Sequence, residues 1–247
     1  MDNLSIAAVS GLRSRMSSLD LLANNLANSA TSGYKSDREY YNLYASDDSD
    51  NGVDGDRGPT LPVIERQWTD YSQGVIEATG NPLDVALDGA GFFTVNGPKG
   101  LLYTRNGSLR ILPSGELANN DGYTVRSTTG STITVAPGKQ INITREGIVQ
   151  QEGQDLGQID VEDFKSYDSL QKTGSASFQN TDPNNSPTAP SNVGVEQGKI
   201  EGSNVPVASS AMRLVSIMRQ FEMLQKAIGI SSDMDTKSIQ EVARVNA

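Results

Sequence analysis

The sequence predicts an α+β fold: long N- and C-terminal helices that pair as a coiled-coil-like stem, with an antiparallel all-β domain inserted between them. Three observations carry this expectation. Apolar residues recur at alternating spacings of three and four at both ends of the chain. The middle is cut into short apolar runs by turn-forming pairs. A polar, glycine-bearing stretch separates the first helix from those runs. The expected division is an N-terminal helical segment (1–35), an extended polar connector (36–80), a β-domain (81–192), and a C-terminal return and helix (193–247).

The first helix is expected over about residues 5–28, roughly 36 Å at about 1.5 Å per residue. Val9, Leu12, Met16, Leu19, Ala23 and Leu26 form an a/d seam of the kind that packs helices lengthwise. The helix then ends on "LANNLANSATSGYK", residues 22–35, which is unusual. Asn24, Asn25 and Asn28 crowd its last turns, although asparagine competes for backbone hydrogen bonds and is a mediocre helix former. All three fall off the Val9–Leu26 seam. Their amides both donate and accept, so they suit bridges to neighbouring chains without placing charge in an interface. Asn28 also stands where the helix must stop, and asparagine tolerates a left-handed cap. Simple fraying of the helix end is the other reading.

Residues 37–62 are polar, with Gly52, Gly55, Gly58 and Pro59, and read as an extended or poorly ordered excursion. From about residue 81 to 163 the runs "LDVAL", "FFTV", "LLYTR", "YTVRS", "TITV", "INIT" and "IVQQ" read as strands. Asp88-Gly89, Asn96-Gly97, Asn106-Gly107, Asp121-Gly122, Pro137-Gly138 and Glu146-Gly147 separate them as turns. Residues 179–192, "QNTDPNNSPTAPSN", form a loop leading back towards the second helix. Ser203, Asn204 or Ser209 is expected to cap that helix, with Pro206 in its first turn. Leu214, Ile217, Phe221, Leu224 and Ile228 repeat the three-four seam. Gly229 interrupts it, and Ile239 and Val242 suggest that helix resumes.

Composition removes whole classes of chemistry. The 247 residues include no Cys and no His, so thiol nucleophiles, thiolate metal sites, imidazole bases and disulfides are absent. A formal charge of −10 disfavours nucleic acid as a partner. No run approaches the ~20 apolar residues of a membrane span, so membrane insertion is not expected. "MDNLSIAAVSGLRSR" does not have the layout of a cleaved secretory signal. Three motifs mimic sites. Gly89-x-Gly91 precedes a strand where a dinucleotide loop needs a helix. The calcium-like register from Asp47 puts Gly58 where a bidentate Glu belongs. Glu162 and Asp163 are adjacent, and adjacent strand residues point to opposite faces, so they form no acid–base pair. Asn3, Asn106 and Asn142 open glycosylation-type triplets that are taken as chance matches. No enzyme, cofactor, metal or small-molecule substrate is expected.

What remains is packing. Apolar residues also lie off both seams: Ile6, Ala7, Leu21 and Leu22 on the first helix, Met212, Val215, Met218 and Met223 on the second. A helix apolar beyond one stripe expects more than one neighbour. The candidate subunit-packing residues on the first helix are Val9, Leu12, Met16, Leu19, Leu22, Asn24, Asn25, Leu26 and Asn28. On the second they are Leu214, Ile217, Met218, Phe221, Leu224 and Ile228. A helix hairpin that merely closes a monomeric β-domain binding module is the competing reading.

Four blocks in order carry a resemblance. "ANNLANSATSGYK" is very like the N-terminal signature of the bacterial flagellar rod and hook proteins. "TGNPLDVALDGAGFFTV" (79–95) and "YTRNGSLRILPSGEL" (103–117) are similar to their second and third shared blocks. "EGSNVPVASSAMRLVSIMRQFEMLQKAI" (201–228) resembles the C-terminal one. Within that family the opening "MDN" and the form of the last block look most like a proximal rod subunit, with a distal rod or hook-type subunit as the runner-up. The resemblance implies a structural subunit of the basal-body rod in the periplasm. It implies export by the flagellar type III apparatus and helical assembly through the terminal helices. The implied partners are copies of itself and other rod and hook subunits. Transmission of torque from motor to hook is the implied role.

Overall fold

The computed structural model describes residues 3–45, 60–174 and 176–245, and the chain divides into two compact units. Most of the polar excursion, including the calcium-like register at 47–58, falls outside the described residues.

The first unit comprises Met1–Ala27, Asp37–Thr69 and Pro206–Ala247. It holds helix α1 (Asn3–Ala27), strands β1 (Asp37–Ala45) and β2 (Thr60–Thr69), and helix α2 (Val207–Val245). The long strands β1 and β2 pair antiparallel, Asp37 opposite Thr69 and Ala45 opposite Thr60, with a bulge between Tyr40 and Tyr41. The excursion therefore begins and ends as a ladder. Its signal is aromatic: Tyr40, Tyr41, Tyr44 and Trp68 favour strands even where polar neighbours hide any alternation. α2 runs unbroken through Gly229, which merely lowers local propensity in a helix held by its neighbours.

The second unit comprises Asn28–Ser36 and Asp70–Val205. Its strands are β3 (Ile76–Ala78), β4 (Val85–Asp88), β5 (Phe92–Gly97), β6 (Gly100–Thr104), β7 (Leu109–Ile111), β8 (Leu117–Asn119) and β9 (Thr124–Val125). They continue as β10 (Ile141–Ile143), β11 (Ile148–Gln151), β12 (Gln154–Gln158), β13 (Val161–Glu162), β14 (Leu170–Lys172), β15 (Ser177–Asn180), β16 (Gly194–Gln197) and β17 (Lys199–Glu201). The largest sheet has the order β14-β15-β6-β5-β9-β8-β7, with β13 also on β5. β10-β11-β12 form a second sheet, and β16-β4 and β17-β3 are two-stranded pairs. All ladders are antiparallel.

The pleat of β5 divides the core. Phe93 and Val95 enter a large aliphatic cluster with Val85, Leu87, Leu117, Ile133 and Val149. Phe92, on the opposite face, joins Tyr103, Phe164, Leu170 and Phe178 in an aromatic cluster. One expected turn and one expected strand are placed differently. The β5–β6 hairpin turns at Pro98-Lys99, with Gly97 opposite Gly100 and φ of 126° at Gly100, rather than at Asn96-Gly97. "TITV" pairs only through isolated bridges at Thr132 and Thr134, although Ile133 is fully buried.

Candidate subunit-packing surface

In the first unit α1 and α2 pack against each other. A Cβ on Gly11 would lie 3.8 Å from Leu224 Cδ1. The inward face of α2 is the one the spacing predicts: Ile217 is buried, and Leu214, Phe221, Leu224 and Ile228 are half-buried. The inward face of α1 is rotated from the expected seam. Ser14, Ser18, Leu22 and Asn25 are buried, and Leu12, Leu19 and Leu26 are half-buried. Val9, Met16 and Ala23 are exposed. Gly11 faces Leu224 of α2, and Ser18 Oγ donates to the Ser14 carbonyl at 3.0 Å.

The asparagines separate into different roles. Asn25 lies inside the packed face, not off it. Its Nδ2 donates to the Asp37 carbonyl at 2.8 Å and its Oδ1 accepts from the Asp37 amide at 3.0 Å. One side chain thus clasps both polar groups of the residue that opens β1, which is why an amide is buried there. Asn28 accepts from the Thr31 amide through its carbonyl at 3.1 Å and from Thr31 Oγ1 through its side chain at 3.3 Å. It is not a left-handed cap, because that conformation is taken by Gly33, at φ 69°. Asn24 is exposed. Pro206 stands immediately before α2, and its carbonyl accepts from the Ser210 amide at 3.0 Å. None of the three candidate caps is used as expected. Ser203 Oγ accepts from Val205 N, Asn204 Oδ1 from Ser36 N, and Ser209 Oγ donates to the Pro206 carbonyl.

α2 also has a second apolar face. At about 100° per residue, Met212, Val215, Met223, Ile230 and Met234 lie roughly 160° from Leu214, Ile217, Phe221, Leu224 and Ile228. All five are exposed. Met212, Val215, Ser216, Arg219 and Met223 line a shallow groove of about 550 Å³ along this face. Met218, on its flank, is exposed as well. α2 thus carries apolar residues on opposed faces, one of them exposed.

The second unit is tied together by a polar node in which all four of the sequence blocks meet. Gly33 N donates to the Glu201 carbonyl at 2.8 Å, and a Cβ on Gly33 would lie 2.3 Å from Asn106 N. Only glycine fits, on both φ and space. The Glu201 carboxylate, fully buried, accepts from Lys35 Nζ at 2.6 Å, Gly74 N at 2.9 Å and Arg105 Nη1 at 3.0 Å. Lys35 Nζ also donates to the Ser72 carbonyl at 2.6 Å, and Arg105 Nη2 to the Gly89 carbonyl at 2.7 Å. Asn204 Oδ1 accepts from Ser36 N at 2.7 Å while its Nδ2 donates to the Asp70 carbonyl, also at 2.7 Å. Burial pushes the Lys35 ammonium below its ordinary value, against the pull of the Glu201 carboxylate. Sequence reasoning on seams missed this node. Its signal was present as polar residues inside otherwise structural blocks: "SGYK", "TRNG" and "EGSN".

Elsewhere burial, followed by the charge of the Glu162 carboxylate, raises the Tyr103 phenol to about 12. Burial raises Asp160, with Arg126 at 3.8 Å opposing it. Burial also raises Glu162, with the charge of Asp160 adding to the effect. Among the described residues no cluster of carboxylates has the makings of a metal site, and no helix is long and apolar enough to cross a membrane.

Known proteins resemble this chain in sequence. Residues 86–151 match the family described as flagellar hook protein FlgE/F/G D1 domain, and residues 196–241 match flagellar basal body rod FlgEFG protein C-terminal. The chain is 31% identical to the flagellar basal-body rod protein FlgG of Buchnera aphidicola subsp. Schizaphis graminum, over 93% of this chain and 96% of that protein. It is 26% identical to the flagellar basal-body rod protein FlgF of Caulobacter vibrioides, with both chains covered end to end. It is 30% identical to FlgG of Borreliella burgdorferi, over 92% of this chain and 94% of that protein. Similarity at this level, sustained from α1 through the β-unit into α2, shows that the chain belongs to the flagellar basal-body rod protein family.

Proposed function

We propose that this chain, a structural subunit of the flagellar basal-body rod, polymerises helically through its terminal helices to form a periplasmic shaft that carries torque from motor to hook. The observation that carries this reading is the pair of opposed apolar faces on α2. One is covered by α1, and the other exposes Met212, Val215, Met223, Ile230 and Met234. A heterologous contact between such a face and a different surface of an identical chain does not close on itself, and so gives an open filament. The exposed Val9 and Met16 of α1 extend the available surface.

On this reading residues 1–35 and 193–247 supply the packed inner tube, 81–192 the β-domain and 36–80 the connector. The same surface contacts other rod and hook subunits, and the flagellar type III apparatus exports the chain. The sequence forms "MDN" and "EGSNV … RQFEMLQK" support the proximal position of FlgF over the distal position of FlgG. Structural work of this kind needs no catalyst.

The test is Val215→Asp, introduced at the gene's own locus. The expected outcome is a chain that folds but leaves cells without complete rods in electron micrographs of purified basal bodies, and without swimming. Normal rods would overturn the reading.

A further inference from the structure

Sulfur is distributed unevenly in this chain. It has six methionines and no cysteine, and none of the methionines falls between residues 17 and 211. Five have described side chains, and all five are on helices of the first unit: Met16, Met212, Met218, Met223 and Met234. Their exposure runs from 49% at Met218 to 69% at Met212. Methionine is ordinarily a core residue, and here every described one faces outward. Four are on α2. Met212 and Met223 border the same groove, and Met234 continues their face.

A thioether placed in this way is both adaptable and chemically vulnerable. Unbranched, polarizable side chains fit irregular partner surfaces, which suits a face that must meet neighbours of differing sequence. The same side chains are open to oxidants before they are covered. With no thiol in the chain to react first, peroxide reaches methionine sulfur directly.

We propose that Met212, Met218, Met223 and Met234 form an oxidation site of the unassembled subunit, taking peroxide-class oxidants, and that sulfoxidation there blocks subunit packing. In each event the peroxide O–O bond breaks and one oxygen atom passes to the thioether sulfur. The sulfur is oxidised by two electrons and the peroxide is reduced, leaving as water or alcohol. The product is a polar, chiral sulfoxide in place of a flexible apolar side chain on that face. Assembled chains are protected because the face is covered, so the modification selects free subunits. Reduction by methionine sulfoxide reductases restores the thioether. The packing consequence rests on the polymerisation reading above. The oxidation site itself rests only on exposure.

The experiment treats the purified full chain with hydrogen peroxide and maps the oxidised peptides by mass. Sedimentation velocity over a concentration series then compares untreated, oxidised and reductase-repaired protein. The expected result is a gain of about 16 Da at each α2 methionine, at rates within about threefold of methionine in an unstructured peptide. Self-association should be present in the untreated chain, lost on oxidation and regained on repair. Protection of these methionines in the isolated chain would overturn the site. Equal association of oxidised and untreated chains would overturn its consequence. A freely oxidised chain that never associates would overturn the polymerisation reading, and the packing consequence with it, while upholding the oxidation site.

Discussion

The two units treat buried polar and exposed apolar groups in opposite ways. The second buries a carboxylate between two cations and surrounds them with backbone partners. The first keeps one apolar face of α2 against α1 and leaves the other in solvent. One unit buries its charged node within a single chain, and the other leaves an apolar helix face exposed. Changes inside the second unit should therefore appear in its own stability. Changes on the outer face of α2 should appear only in association.

The strongest break in that contrast is Glu201→Gln. It leaves Lys35 and Arg105 buried against a neutral amide, and removing one partner of a buried ion pair costs about 3–5 kcal/mol. Urea unfolding followed by the near-ultraviolet signal of the buried tyrosines should show a loss of that size. An unchanged midpoint would mean that the node does not hold the unit together. Gly33→Ala comes next. A left-handed φ and a backbone neighbour within 2.3 Å of the new Cβ make about 2–3 kcal/mol a reasonable expectation. The same unfolding measurement checks it.

Asn25→Ala moves the comparison to the first unit. It removes two hydrogen bonds to the Asp37 peptide and leaves that peptide to find other partners, at about 1–2 kcal/mol. Faster amide hydrogen exchange at Asp37 and in the last turns of α1, with β5 and β6 unchanged, is the expected pattern. Equal acceleration in β5 and β6 would show that the two units unfold as one.

Periodicity made the helical unit half legible. The α2 seam could be read because large residues sit on both faces and their spacing separates the two. The α1 face could not, because Gly11, Ser14 and Ser18 lie on it, and small residues leave no hydrophobic signal. Asn25 looked like a surface amide because nothing local shows that a strand twelve residues later would supply its partner. In the β-unit, turn pairs located the hairpins but not always their centres, as Pro98-Lys99 shows. The node of Lys35, Arg105 and Glu201 spans 166 residues of sequence, a separation that spacing rules do not address.

The smallest expected effect sharpens the contrast by its sign. Asp160 and Glu162 have folded-state pKa values raised by burial above their ordinary values of 3.8 and 4.5. The folded unit therefore holds these protons more tightly than the unfolded chain does. Their cost is fully present above the raised values and is relieved as pH falls through them towards the ordinary ones. Lys35, lowered by burial, has the opposite sense: its cost is present below its folded value and relieved as pH rises towards 10.5. As pH falls from neutrality the carboxylates' cost is relieved, whereas the lysine's is relieved only as pH rises. Folded-state protonation of Asp160 and Glu162 should thus offset part of the acid loss that carboxylates with lowered values would cause. Asp160→Asn with Glu162→Gln tests this: the variant should gain stability over the parent at neutral pH and lose that advantage on acidification. A constant difference at every pH would show that the two carboxylates are not the titrating groups, and would leave the sheet around Tyr103 indifferent to their charge.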